Sequence, residues 1–180
     1  ATTTVDTGAG TVGRFTSIAI GTNGFPVISY YDQGNGNLDF ATCGNAACSS
    51  GNATSSLDST GTVGEFSSLV IGTDGFPIIA YKDGTNTDLK VIKCGNAACS
   101  SGNTTTLVNT EYNDNTGPAT PIIIGTNGFP VIGFSGTNDA LKVIACGNSA
   151  CSSGNTTNNI DSGTREYPSL VIGSDGFPIV

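Results

Sequence analysis

The sequence predicts an all-β protein of tandem four-stranded antiparallel blades, β-propeller-like, with about three and a half copies in 180 residues. Three observations predict it. The block Cys-Gly-Asn-x-Ala-Cys-Ser-Ser-Gly-Asn stands at 43–52, 94–103 and 146–155, and Gly-Phe-Pro recurs with its phenylalanines at 25, 76, 129 and 177. A period near 50 residues marks stacked or radial repeat architectures. Asn-Gly or Asp-Gly then sits between apolar, β-prone runs at 23–24, 74–75, 127–128 and 175–176. That is the strongest short-range hairpin signal, because these residues accept positive φ. Finally, helical periodicity is missing along the whole chain.

Each repeat reads in the same order. The first repeat, 15–65, opens with an apolar strand at 15–20, turns at 21–24, and returns through 25–31, with Pro26 at the strand start where a missing N–H is tolerated. A polar loop at 32–37 leads to a third strand at 38–43. The cysteine loop then leads to a Thr- and Ser-rich fourth strand at 53–58. The second repeat, 66–118, and the third, 119–166, follow this plan, and 167–180 begins a fourth. Residues 1–14 read as the outer strand and linker of a preceding repeat, because 1–6 align with 53–58. Four strands in about 50 residues is the size of one propeller blade. Continuous apolarity in the first two strands fits positions covered on both faces, and the polar fourth strand fits an outer edge. A β-solenoid is the alternative, but its coils are shorter and hairpin turns oppose parallel pairing. An immunoglobulin-like sandwich needs about seven strands per unit.

Composition narrows the function. The net charge of −8 with six dispersed basic residues opposes nucleic-acid binding. No apolar run approaches the roughly 20 residues of a membrane helix. Six cysteines in three C-x4-C pairs, Cys43 with Cys48, Cys94 with Cys99 and Cys146 with Cys151, predict local disulfides in an oxidising compartment. Zinc fits poorly without histidine and with isolated pairs. Each block also ends in an Asn-x-Thr sequon, at Asn52, Asn103 and Asn155, which in an exported protein is an N-glycan acceptor. The plainer reading makes these asparagines the start of a turn. Threonine runs such as 2–4 and 104–106 add candidate O-glycan positions.

The run Ser68-Leu69-Val70-Ile71-Gly72, continued by Tyr81-Lys82-Asp83 and Asp88-Leu89-Lys90, resembles bacterial extracellular tandem repeats that look like β-propeller blades. The resemblance covers essentially the whole chain and implies architecture, not chemistry. The third repeat departs from it, with Phe134-Ser135-Gly136 replacing the aromatic-x-Asp ending.

Candidate sites are few. Asp32 and Asp83 end second strands and invite comparison with paired glycosidase carboxylates. The third repeat has Ser135 there, and no histidine exists to build a nucleophilic triad, so no catalytic residue is assigned and the chain reads as a non-enzyme. Asp74 and Asp175 faintly resemble sialidase Asp-box turns, without the tryptophan. Tyr30 and Tyr81 could form sugar-stacking shelves or simply pack the core. No metal site or cofactor is assigned; structural calcium is conceivable from the Asp- and Asn-rich loops, but no Asp-x-Asp-x-Asp spacing occurs.

The first residue aligns just past a sequon asparagine and the last falls inside a second strand. The expectation is therefore a stretch of a longer array, or a protomer whose open edges are covered by neighbours. The functional expectation is a non-catalytic structural repeat protein of an extracellular or cell-surface, glycosylated fibre or layer. Its partners would be copies of itself or further repeats, and covalent glycans. The alternative is a carbohydrate-binding propeller, a lectin or adhesin.

Overall fold

A computed structural model describes residues 2–8, 10–112, 119–163 and 167–180. The protein is all-β. Strands β1 (Arg14–Ile20), β2 (Pro26–Asp32), β3 (Asn37–Thr42) and β4 (Ala53–Asp58) form the first four-stranded meander. The second comprises β5 (Val63–Ile71), β6 (Pro77–Asp83), β7 (Asp88–Lys93) and β8 (Thr104–Asn109). The third comprises β9 (Ile122–Ile124), β10 (Pro130–Ser135), β11 (Leu141–Ala145) and β12 (Thr156–Asp161). A two-stranded half-blade, β13 (Val171–Ile172) with β14 (Pro178–Ile179), follows. All pairings are antiparallel, each sheet is a separate open blade, and the repeated register places Tyr30 opposite Asp39, Tyr81 opposite Lys90 and Phe134 opposite Lys142.

Turn chemistry explains the hairpins, with one difference from expectation. The Gly24 N–H donates to the Gly21 carbonyl at 2.9 Å, and the Asn23 side-chain oxygen accepts from the Phe25 N–H at 3.0 Å. Only Gly24 takes a positive φ, of 79°. Asn23 instead acts through its side chain, as an Asx turn. In the second hairpin Asp74 accepts from the Phe76 N–H at 3.1 Å, so Asn and Asp interchange freely here.

Two core layers lie between the blades. Val27, Leu38 and Phe40 of the first blade pack on Leu69, Ile79, Tyr81 and Ile92 of the second. Ile78, Ala80, Leu89 and Val91 on the opposite face of the second blade pack on Ile122, Ile132, Phe134 and Ile144 of the third. Residues on alternate faces of one strand thus serve different interfaces, the period-2 rule of a pleated strand. Burial follows position in the blade: every residue of β6 and β10 is buried, whereas every residue of β12 is exposed.

Element boundaries differ in detail. Strands β1 and β5 begin at Arg14 and Val63, ahead of the expected repeat starts at 15 and 66. Residues 2–6, expected as an outer strand, form no strand, although Asp6 takes the place that Asp58 holds in the next repeat (below). The expected boundaries at 118/119 and 166/167 fall at residues outside those described. In the third repeat a 3-10 turn, Thr137–Asp139, replaces the aspartate-anchored loop, as the Ser135-Gly136 departure foreshadowed.

Candidate functional site

Two features recur in every blade and define the chemistry available: the cysteine loop at the outer end, and the polar contacts that join one blade to the next.

The three cysteine pairs are disulfide-bonded as expected, Cys43–Cys48, Cys94–Cys99 and Cys146–Cys151, with Cα separations of 4.7, 4.8 and 4.8 Å. The second cysteine of each pair has a left-handed backbone, φ 50°, 52° and 52°. Around each bridge the repeated letters have separate tasks. Asn45 accepts N–H bonds from Ala47 at 3.0 Å and Ser49 at 3.1 Å through its side-chain oxygen. Gly44 lies against backbone, where a Cβ would stand 2.4 Å from the Ser50 carbonyl. Asn52 clasps the loop: its oxygen accepts from the Gly44 N–H at 3.2 Å, and its amide nitrogen donates to the Cys48 carbonyl at 2.7 Å. Asn103 does the same with Gly95 and Cys99, at 3.1 and 2.8 Å, and Asn155 with Gly147 and Cys151, at 3.1 and 2.6 Å. All three sequon asparagines are therefore structural clasps. Only one of the two N–H bonds of each amide is engaged by that carbonyl, which leaves the other open to a glycosidic link.

Tyr30 and Tyr81 are not shelves. They are 4% and 0% exposed, and their hydroxyls donate to Asp6 at 2.6 Å and Asp58 at 2.8 Å, each belonging to the preceding outer segment. Burial, reinforced at Tyr30 by the Asp6 hydrogen bond and at Tyr81 by the Asp58 charge, pushes both phenols far above their ordinary range. In the third blade Phe134 stands in this position and Asn109 in that of the aspartate, so the hydroxyl donor and the carboxylate charge are lost together. Tyr112 stacks there on the Phe134 ring instead, at 6.3 Å.

Asp32 and Asp83 serve their loops. Asp32 accepts from the Asn35 N–H at 3.1 Å and the Asn35 amide at 2.7 Å. Asp83 does so for Asn86, at 3.1 and 2.9 Å, and also accepts from the Thr85 N–H at 3.0 Å. Asp83 also pairs with Lys90 at 2.6 Å, and Lys90 lies 3.7 Å from Asp58. Burial opposes ionisation of Asp83, but the Lys90 and Asn86 hydrogen bonds hold its carboxyl below the usual range. Lys90 moves the other way, raised by Asp83 and Asp58 despite its burial.

The first blade places Asp39 where the second has Lys90. One oxygen of Asp39 is buried without a hydrogen-bond partner. Burial, then the charges of Asp32 and Asp6, pushes its carboxyl up, partly offset by a Ser56 hydrogen bond. Sequence reasoning missed this inversion, although an acidic residue facing Lys90 and Lys142 in the repeat alignment was its visible sign. Among the described residues no group of three or more His, Cys, Asp or Glu could hold a metal ion, so the calcium reading gains no support.

The inner strands are joined by hydroxyls. Ser67 donates to the Phe15 carbonyl at 2.9 Å, the Leu69 N–H donates to Ser17 at 3.0 Å, and Thr120 donates to the Phe66 carbonyl. Phe15 and Phe66 both have left-handed backbones, φ 51° and 57°, and their rings meet at 4.1 Å. A groove of about 320 Å³ runs beside them, lined by Phe15, Phe66, Ser17, Ser67 and Pro121 among others. Among the described residues, no helix is long and apolar enough to cross a membrane. No protein-family model matches the chain, and no curated protein matches it in sequence.

Proposed function

We propose that the chain is a non-catalytic structural repeat protein of an extracellular, glycosylated fibre or surface layer. The observation that carries this reading is that the chain's polar and reactive groups are consumed by the array itself. The strongest candidate carboxylates anchor loops or accept from tyrosines of the next blade, the cysteines are bridged, and the first two blades repeat the same contacts. What faces solvent is the outer strand of each blade, Thr-rich in β8 and β12, beginning directly after the sequon asparagine. A fibre built this way presents one acceptor asparagine per blade at a fixed spacing. Its bridges fit an oxidising environment outside the cell.

Intact mass of native material before and after reduction and deglycosylation, together with electron microscopy, tests both halves. Filaments or sheets carrying sugar mass are the expected result; compact particles without it would overturn the reading. A carbohydrate-binding role is the second reading. The inner groove favours it, because Phe15 and Phe66 stand beside exposed or half-buried hydroxyls there. Glycan binding that is lost on Phe15→Ala, with the fold intact, would select it.

A further inference from the structure

The bridge and the sequon of each blade compete for the same amide. Both partners of the Asn52 side chain are set by the disulfide loop: the Gly44 N–H directly follows Cys43, and the Cys48 carbonyl belongs to the second bridged cysteine. The same two contacts hold Asn103 and Asn155, at 2.6–3.1 Å. The loop is closed tightly beside them, for a Cβ on Gly44, Gly95 or Gly147 would stand 2.4–2.5 Å from backbone across the loop. Solvent access is not what limits these asparagines, since Asn103 and Asn155 are exposed and Asn52 is half-buried.

The other half of each acceptor sequence is fixed as well. Thr54, Thr105 and Thr157 stand in the ladders between third and fourth strands, opposite Ala41, Ile92 and Ile144. A sequon is read through its asparagine and its +2 threonine together. In the bridged blade, moving either toward the other breaks the clasp or the ladder.

Sugar transfer asks more of the amide than room for the product. The nitrogen attacks C1 of a sugar carried on a lipid pyrophosphate. The Nδ2–C1 bond forms, the C1–O bond breaks with its electron pair leaving on the pyrophosphate, and one amide proton passes to a base of the transferase. Conjugation ties up the nitrogen lone pair, as it does in a peptide bond. Freeing it requires rotation about Cγ–Nδ2, which turns the N–H away from the cysteine carbonyl. Afterwards the nitrogen keeps one of its two N–H bonds, enough to remake that contact.

We propose that the three sequon asparagines accept sugar only while their cysteine loop is open, so that glycan transfer precedes bridge closure in each blade. Closure then seals the acceptor, and a bridged blade that has missed its sugar stays bare. This order rests on the glycosylated reading and adds to it the sequence of the two modifications.

The test is transfer in vitro by a purified oligosaccharyltransferase with its lipid pyrophosphate-linked oligosaccharide. The acceptors are the 180-residue chain, oxidised or reduced, and the oxidised double variant Cys94→Ser, Cys99→Ser. Glycopeptide mass spectrometry reads each asparagine separately. Two hydrogen bonds broken per amide correspond to about thirtyfold in rate. The oxidised wild type should therefore react at least about thirtyfold more slowly than the reduced chain at all three asparagines. In the double variant Asn103 alone should react fast, with Asn52 and Asn155 of the same molecule as controls and circular dichroism confirming the fold. If the variant does not fold, order of addition on the wild type decides. Sugar first and oxidation second should give bridged glycoprotein, and the reverse order a bridged chain without sugar. Equal rates for oxidised and reduced chains, or an Asn103 no faster than its neighbours in the folded variant, would overturn the proposal and leave the acceptors standing. A reduced chain that takes no sugar would instead overturn the glycosylated reading, and the proposal with it.

Discussion

Replacing Asp39 by lysine should make the protein more stable, an uncommon outcome for a charge reversal in a half-buried site. In the second blade the matching Lys90 sits 2.6 Å from Asp83 and 3.7 Å from Asp58. In the first blade Asp32 and Asp6 hold the same two positions, with a third carboxylate between them and one of its oxygens unsatisfied. An unsatisfied buried polar group costs about 1–3 kcal/mol, and a hydrogen bond to a charged group contributes about 1.5–3 kcal/mol. Asp39 is half-buried, so the lower ends apply and the gain is about 1 kcal/mol after the side-chain entropy of ordering a lysine. For a chain of this length that raises the melting temperature by roughly 2–4 °C. Asp39→Asn removes the repulsion without adding an ion pair and should give about half the gain.

Calorimetry from pH 7 to pH 4 supplies the second readout. The folded-state pKa of Asp39 is raised, so its ionised form is penalised on folding and stability is recovered as pH falls through that pKa. The wild type should carry this acid-side gain and the Asp39→Lys variant should not. A variant no more stable than the wild type at pH 7, or one with the same acid-side gain, would refute the reasoning.

Four further outcomes follow from the same geometry. Tyr81→Phe should cost about 1.5–3 kcal/mol, because Asp58 loses a buried donor; added Asp58→Asn should recover part of the loss, as in the Phe134 and Asn109 pairing, and chemical denaturation of the double-mutant cycle measures the coupling. Under mild reductant Cys43–Cys48 should open first, since Cys48 is half-buried while Cys99 and Cys151 are 2% and 0% exposed; timed alkylation and mass spectrometry read the order, and each ring lost should cost about 2 kcal/mol. Asn103→Ala breaks the clasp and should lower stability by about 1 kcal/mol even in unglycosylated protein, whereas Thr105→Ala should remove only sugar mass. Below pH 4 the wild type should lose the stability held by Asp83 and Asp74, whose depressed pKa values make that contribution present above the unfolded value and lost as pH falls through the folded one; acid titration of the melting temperature should show it.

Much of the fold was legible in the chain because its determinants are local. The cysteine loop closes over five residues, the Asn-Gly and Asp-Gly turns hydrogen-bond to themselves, and apolar runs between those turns mark the inner strands without reference to their neighbours. The same holds for the aspartates at the ends of β2 and β6, whose partners lie three residues away. The candidate site was less legible. Tyr30 and Tyr81 read equally as sugar shelves or as core, and only their contacts with Asp6 and Asp58, across 24 and 23 residues, decide for the core. The sequons were visible, but not the clasp that gives their asparagines a structural task, since its two bonds span eight and four residues of a folded loop.

By itself, then, the sequence determined the repeat, the strands within it, the turns and the three bridges. These depend on residues close in the chain and on a period that duplication copies. Tertiary structure decided which face of each strand is covered, because blade contacts join positions about one repeat apart, as Ser67 and Phe15 do across 52 residues. Chemically near-identical strands β1 and β5 consequently have opposite fates, one with its isoleucines in solvent and the other with Leu69 buried. A strand's burial is a property of what packs against it, and no stretch of sequence contains its own neighbour.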